Sequence, residues 1–447
     1  MGAEGYGIWS QILVTVSLLA PLCTLGLDYA TTRFLAPEKD KEKVGKHFSS
    51  ILVTTSLIAL AASVLVLILS KPLATAVFGG ADATFYIQIS ALLVFLAAID
   101  QIMINYFVGF QQMKRYATLE ISQTVGEVAL ICYLVLSGFG LLGAIASALI
   151  VRVLISVIGF LWIKSDVRIS KPSFSAIKPY LPFTLPLLPT ILCYWLINLG
   201  DRYVIGYFMG ANAVGIYSAA YGLGALLAFF YVPLASVLFP AMVKSYENNK
   251  VPEVKTYLSY SLKFFLLLAI PSFFGLSILS KSLLVTLATS EFAEAYMVVS
   301  IVALATLLFY CSSFNTYVLN LFKETKKVGI VFGASALINV VLNIILVPLM
   351  GIVGAAVATL VTFMVHLFVL SKLSSKRLSY DIDFKFIGKS IAASILMAFA
   401  VWKLNPYGAV NILVSIAIAA AIYFGVLILL RGFTREEFRF FEGFFKT

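Results

Sequence analysis

Long apolar runs separated by short polar breaks make up almost the whole chain. Runs of about 18 or more residues are long enough to cross the apolar core of a bilayer as a helix. They fall at roughly 8–27, 48–70, 83–107, 117–137, 141–163, 180–199, 215–242, 257–279, 293–320, 329–348, 352–370, 386–404 and 410–430. None alternates apolar and polar positions, and all are longer than a barrel strand. The pattern predicts an all-α integral membrane protein with 13 TM helices. The fourth and fifth are joined only by Gly138-Phe139-Gly140 and should form an antiparallel hairpin. Pro182, Pro186 and Pro189 crowd the start of the sixth, so it is either broken, as a hinge would be, or simply begins late.

Composition agrees. Of 447 residues 61% are hydrophobic and 12% charged, against about 25% charged in a soluble chain. Mean hydropathy is +1.00. The +11 net charge does not point to nucleic acid, because 27 of the 32 basic residues sit in or beside alternate short connections and the tail. This is a positive-inside signature. It predicts a multi-pass protein of the cell membrane with 28–47, 164–179, 243–256, 371–385 and the C-terminus cytoplasmic, and Met1–Gly7 outside. The run Lys39–Lys43 reads as a solvated loop near anionic lipid, and the tail Thr434–Thr447 as an amphipathic interfacial helix.

Cys23, Cys132, Cys193 and Cys311 all lie in apolar runs, which implies no disulfide framework. His47 and His366 lack metal-ligand spacing, and no metal or cofactor is expected. Gly388-Lys389-Ser390 ends like an ATP-binding loop, but Asp383 stands where the first glycine is needed. Asp381 and Asp383 are spaced like a metal-binding carboxylate pair, yet no connection is long enough for a nucleotide-sugar domain. The chain is read as no enzyme.

The sequence repeats itself. Met1–Ser10 matches Met209–Ser218 at six of ten positions, and Gly140, Gly143, Ala144 and Leu149 match Gly351, Gly354, Ala355 and Leu360. Repeats in the same orientation are related by an axis along the membrane normal. They divide the chain into an N-lobe bundle (1–170), a C-lobe bundle (171–385), and two further helices with the tail (386–447). In the second half a helix precedes the repeated motif; in the first half none does. The expectation is therefore two six-helix bundles, the first lacking its first helix.

These features resemble the polysaccharide flippases of the MOP superfamily, the Wzx-type branch that moves oligosaccharidyl lipids. The residues that carry the likeness are Gly26-Leu27-Asp28…Arg33-Phe34, Gly200-Asp201-Arg202-Tyr203…Gly206, Gly210…Val214-Gly215-Ile216-Tyr217-Ser218 and Gly351–Ala356. The resemblance implies a MATE-like V-shaped cavity between two lobes. It also implies alternating-access flipping of a lipid-linked oligosaccharide for surface polysaccharide biosynthesis, with membrane lipids around it and polymerase or glycosyltransferase enzymes as candidate partners.

Charged groups deep in a bilayer are costly and usually face a cavity or a partner. Arg152 lies about eleven residues into its helix, roughly 16 Å deep and near the centre of a core about 30 Å thick. Glu127 should lie at the same depth on the neighbouring arm. The pair is either a structural ion pair or a substrate site in which the guanidinium grips a diphosphate bidentately. Glu120, Gln123 and Glu127 share one helix face. Ser335, Asn339 and Asn343 form a second stripe, which lines the cavity or glues helices together. Asp28 with Arg33, and Asp201 with Arg202, lie near opposite membrane faces and are either gates or interfacial anchors. Asp100, near Gln101 and Asn105, is read as a solvated cytoplasmic helix end or as a proton site. His366 reads as packed. H+ or Na+ is the candidate coupling ion. A drug or organic-cation antiporter is the alternative function, and Arg152 argues against it; a lipid II flippase is a nearer one.

Overall fold

In the computed structural model, residues 1–78 and 80–432 are described, and all their regular structure is helical. The expected tail helix lies outside the described residues. Polar residues fix several helix starts. The helix Lys41–Ile68 opens where the Asp40 carboxylate accepts the Glu42 and Lys43 amides at 3.0 and 3.4 Å, and Phe384–Leu404 opens where Asp383 accepts the Phe386 amide at 2.8 Å. The elements are α1 (Ala3–Cys23), α2 (Lys41–Ile68), α3 (Thr84–Gly109), α4 (Met113–Leu134), α5 (Gly140–Asp166), α6 (Leu188–Leu199), α7 (Asp201–Gly224), α8 (Ala228–Glu247), α9 (Val251–Leu287), α10 (Tyr296–Leu321), α11 (Thr325–Ser375), α12 (Phe384–Leu404) and α13 (Ala409–Leu429).

Eleven helical stretches among the described residues are long and apolar enough to span a membrane. Two of them, Met113–Asp166 and Thr325–Ser375, have 54 and 51 residues. Straight, each would reach some 75–80 Å. Both double back at glycine. Gly138 and Gly140 have φ of +93° and +51°, and Gly351 has φ of +62°, backbone that a β-carbon disfavours. Side-chain bonds across α11, Ser335 to His366 and Asn339 to Thr362, show that its two arms lie side by side. Each such stretch crosses twice, which is consistent with thirteen crossings.

The proline cluster breaks its helix. Leu181–Thr184, the 3-10 turn Leu185–Leu187 and α6 follow one another, each with a proline in its first turn, where the missing N–H costs nothing. The connection expected at 200–214 is instead mostly helical, and the backbone breaks at Gly210, with φ of +80°.

The described chain forms two units, Met1–Gly215 and a second from Ile216 onward. The first is cored by Ile12, Val16, Ala59 and Val94 at one level and by Phe48, Tyr106, Phe107 and Ile155 at another. The stretch after 171, which the repeat pattern gives to the second bundle, packs here with the first: Trp195 Nε1 donates to the Val14 carbonyl at 3.2 Å, and Tyr203 OH meets Thr15 Oγ1 at 2.7 Å. The second unit is cored by Tyr231, Phe265, Phe314 and Met397. Its last two helices are pinned to α9 by Tyr423, whose hydroxyl reaches the Leu267 carbonyl at 2.9 Å and Ser390 Oγ at 2.8 Å.

Within the first unit the repeat appears as a direct contact. Ala3 and Gly7 face Ala211 and Gly215, their counterparts 208 residues on. A β-carbon on Gly7 would stand 1.8 Å from the Ala211 carbonyl oxygen, and one on Gly215 would stand 2.0 Å from that of Ala3. Small residues four apart on both helices let the backbones touch. The repeat also recurs at two hairpin bases. Gln111 and Lys323 both have left-handed backbone, with φ of +56° and +58°. Beside them Arg115 pairs with Asp166 at 2.7 Å, and Glu324 pairs with Arg377, the charges exchanged between the halves.

Candidate functional site

The first unit gathers three charges and two polar groups from α3, α4 and α5. Arg152 Nε stands 3.4 Å from Glu127 Oε1, the pair expected from equal depth on the two arms. Its Nη1 stands 3.5 Å from Asp100 Oδ2. Ser156, one turn beyond Arg152, donates to Asp100 Oδ1 at 2.5 Å, and Gln123 Nε2 donates to Glu127 Oε1 at 3.3 Å. Asp100 is therefore no solvated helix end. It is only 3% exposed, because α3 continues nine residues past it and carries it well inside the unit. The Arg152 side chain keeps 17% of its surface exposed and Glu127 20%. The guanidinium is thus held from one side by a buried carboxylate and from another by a more accessible one.

With all groups ionised this cluster carries one negative charge. A single proton neutralises it. The long distances to Arg152 leave its fork incompletely used, since well-formed charge-assisted bonds run about 2.7–2.9 Å. Ser156 was not singled out from the sequence, though its place four residues after a mid-membrane arginine was the available signal. Glu120, on the same face as Gln123, is half-buried nearer the start of α4.

The other candidates do not join this cluster. Asn339 and Asn343 are 1% exposed inside the second unit. Asn343 Nδ2 donates to Asn339 Oδ1 at 3.1 Å, and Asn339 donates to Thr362 at 3.4 Å, so they bind the arms of α11 together as interhelical glue. His366 is packed with them, its Nδ1 2.9 Å from Ser335 Oγ. Asp201 and Arg202 stand at the start of α7 but are not solvated there: they form a buried pair at 2.7 Å, and Arg202 Nη1 also donates to the Asn198 carbonyl at 2.8 Å.

Asp28 and Arg33 do not pair with each other. The Arg33 guanidinium lies 4.3 Å from the Phe183 ring centroid, a cation–π contact with the proline-broken segment. Asp28 is 2% exposed and accepts from Thr24 Oγ1 and Gln101 Nε2, both at 3.0 Å. Burial pushes its carboxyl above the usual range, against the downward pull of those two bonds. Such a group stabilises the fold below the ordinary carboxyl pKa of about 3.9, and that contribution is lost as pH rises through the raised folded value. Thermal unfolding of purified protein from about pH 4 upward should therefore show the native chain losing stability relative to Asp28→Asn, which cannot ionise. Parallel profiles would mean that Asp28 titrates as it does in the unfolded chain.

Comparison with known proteins places this architecture. A model described as polysaccharide biosynthesis protein matches residues 1–246, and the MatE model matches residues 186–345. The probable low-salt glycan biosynthesis flippase Agl15 of Haloferax volcanii is 26% identical over 434 residues, spanning 96% of this chain and 88% of that protein. Stage V sporulation protein B of Bacillus subtilis is 23% identical, spanning 98% of this chain and 91% of that one. Among solved structures, the lipid II flippase MurJ in an inward closed conformation superposes with a TM-score of 0.74 over 96% of this chain and 93% of that one, at 18% identity. An inward-facing multidrug resistance MATE family transporter of the MOP superfamily gives 0.70 over 84% of this chain and 91% of that one, at 17% identity. These last two likenesses are of fold. The match over more than half the chain, on a multi-pass helical fold of this type, makes the chain a member of the polysaccharide biosynthesis protein family.

Proposed function

We propose that this protein flips a polyprenyl-diphosphate-linked oligosaccharide across the cell membrane by alternating access, with its C-terminus in the cytoplasm. The supporting observation is the accessible side of Arg152. A guanidinium held deep among apolar helices by two carboxylates, with its bonds long, is poised to exchange one carboxylate for a diphosphate oxygen. Glu127, the more exposed partner, is the one displaced. Asp100, fixed by Ser156, keeps the guanidinium in place. The carboxylate set free, or the cluster at rest, takes up one H+ or Na+, which couples transport to an ion gradient without a nucleotide site. Membrane lipids bear the polyprenyl tail, and an apolar groove of about 490 Å³ in the second unit, along Phe230, Leu276 and Phe424, has the character to receive one.

An organic-cation antiporter would use the two carboxylates of the cluster, whereas an anionic diphosphate would use Arg152, so the two readings separate in one assay. Purified protein in liposomes is given a fluorescent short-chain polyprenyl-diphosphate oligosaccharide in one leaflet, with ethidium as the rival substrate. The expected result is protein-dependent movement of the glycolipid that responds to an imposed pH or sodium gradient. Ethidium movement with a static glycolipid would replace this reading with the antiporter.

A further inference from the structure

A second cavity lies elsewhere in the second unit, walled by α9, α10, the second arm of α11 and the start of α12, with a volume of about 570 Å³. Its two ends differ in chemistry. One is apolar, with Leu266, Phe273, Leu307 and Ile391 among its walls. The other is crowded with hydroxyls around Asn315: Ser374 Oγ donates to Asn315 Oδ1 at 2.7 Å, Tyr380 OH to the same oxygen at 3.4 Å, and Asn315 Nδ2 to Ser371 Oγ at 3.1 Å. Ser375 and Ser379 complete this end, and none of the described wall residues is charged. The segment that forms it, 371–389, holds five basic residues (Lys372, Lys376, Arg377, Lys385, Lys389) against Asp381 and Asp383. Partial desolvation would raise the Asp383 carboxyl, but Lys263 and the Phe386 amide draw on it and hold its pKa down, so it stays ionised and occupied. Arg377 is engaged by Glu324, while Lys376 and Lys385 are exposed.

The cavity thus runs from apolar to neutral hydroxyl and amide, and the exposed Lys376 and Lys385 are the chain neighbours of its lining residues Ser375 and Phe384. That matches the order of a glycerophospholipid: acyl chain, ester region, anionic head. We propose that this cavity holds one anionic glycerophospholipid from the leaflet on the lysine-rich side. Its acyl chain lies along Leu266, Leu307 and Ile391, its ester carbonyls accept from the serine cluster, and its phosphate faces Lys376 and Lys385. The occupant is a resident lipid at a site separate from the Arg152 cluster, and it is not the transported molecule. The site stands whether or not the transport reading does.

The test uses the full chain purified in mild detergent, with phosphatidylglycerol, phosphatidylcholine of the same chains, and a polyprenyl monophosphate as probes. Native mass spectrometry should show one phosphatidylglycerol retained, with phosphatidylcholine retained far less. Lys376→Glu with Lys385→Glu, both on exposed positions, should weaken retention at least tenfold, on the scale of about one order of magnitude for two basic residues near a lipid phosphate. Leu307→Trp, which fills the apolar end, should remove retention and leave the α-helical spectrum intact. Should that variant not fold, Ser375→Phe fills the polar end from an exposed position with the same expected loss. Equal retention of both glycerolipids, unchanged retention in the charge-reversed variant, or preference for the polyprenyl phosphate would each overturn the proposal.

Discussion

Arg152→Ala is expected to abolish complementation of a polysaccharide-export defect while the protein still reaches the membrane. The substitution removes the cation that, among the described residues, is ion-paired with both Asp100 and Glu127. Breaking a buried pair from one side costs about 3–5 kcal/mol when the remaining charge has no other recourse. Here the carboxylates can take up protons, so the stability loss should fall below that range and the transport loss should dominate. Adding Asp100→Asn to Arg152→Ala separates the two effects. It removes the stranded charge and should recover thermal stability, with export still absent. Arg152→Lys should recover only part of the activity, because an ammonium is a point charge without the planar fork that grips two phosphate oxygens. Complementation is scored by surface polysaccharide and insertion by membrane fractionation. Normal export by the alanine variant would remove Arg152 from the substrate path.

Gly7→Ala is expected to damage the protein more than any other single methyl group on α1. The added carbon would stand 1.8 Å from the Ala211 carbonyl oxygen, and backbone cannot swing aside as a side-chain tip can. Overpacking of this kind costs about 1–3 kcal/mol, and more where backbone must part. Gly5→Ala, two residues away, meets nothing closer than Met1 Cβ at 3.5 Å. There alanine should be neutral or stabilising by up to about 1 kcal/mol through helix propensity. Gly215→Ala should reproduce the Gly7 effect, and the double variant should cost less than the sum, because both changes open one contact. Detergent unfolding temperatures decide it. Equal behaviour of Gly5→Ala and Gly7→Ala would mean that the helices do not touch there.

What could be read from residues alone follows from how local each signal is. Crossings were legible because an apolar run of bilayer length has one use, and the turns at Gly138 and Gly351 were legible because short glycine breaks join neighbouring arms. The Arg152–Glu127 pair followed from counting outward from Phe139, since a hairpin fixes relative depth. Asp100 was misjudged because depth along α3 says nothing about which helix packs beside it, and its partner lies 52 residues on. The same limit applies to Asp201 and Arg202. α7 begins at Asp201 with the pair already buried, whereas glycine and a charged pair in sequence read as a connection. The Asn339–Asn343 stripe was ambiguous in principle, because cavity walls and interhelical glue use the same amides at the same spacing. The repeat foretold that related segments exist; it gave no hint that Gly7 and Gly215 would meet.

That meeting is reciprocal: each segment offers the other the same two small residues in the same order. A contact of this kind is the signature of an isologous interface. A half-length ancestor carrying a single Ala-x-x-x-Gly segment would have paired with a copy of itself through the same patch. Gene duplication and fusion would then have converted a homodimer into one polypeptide, freeing the arginine cluster to arise on one side without having to appear on both.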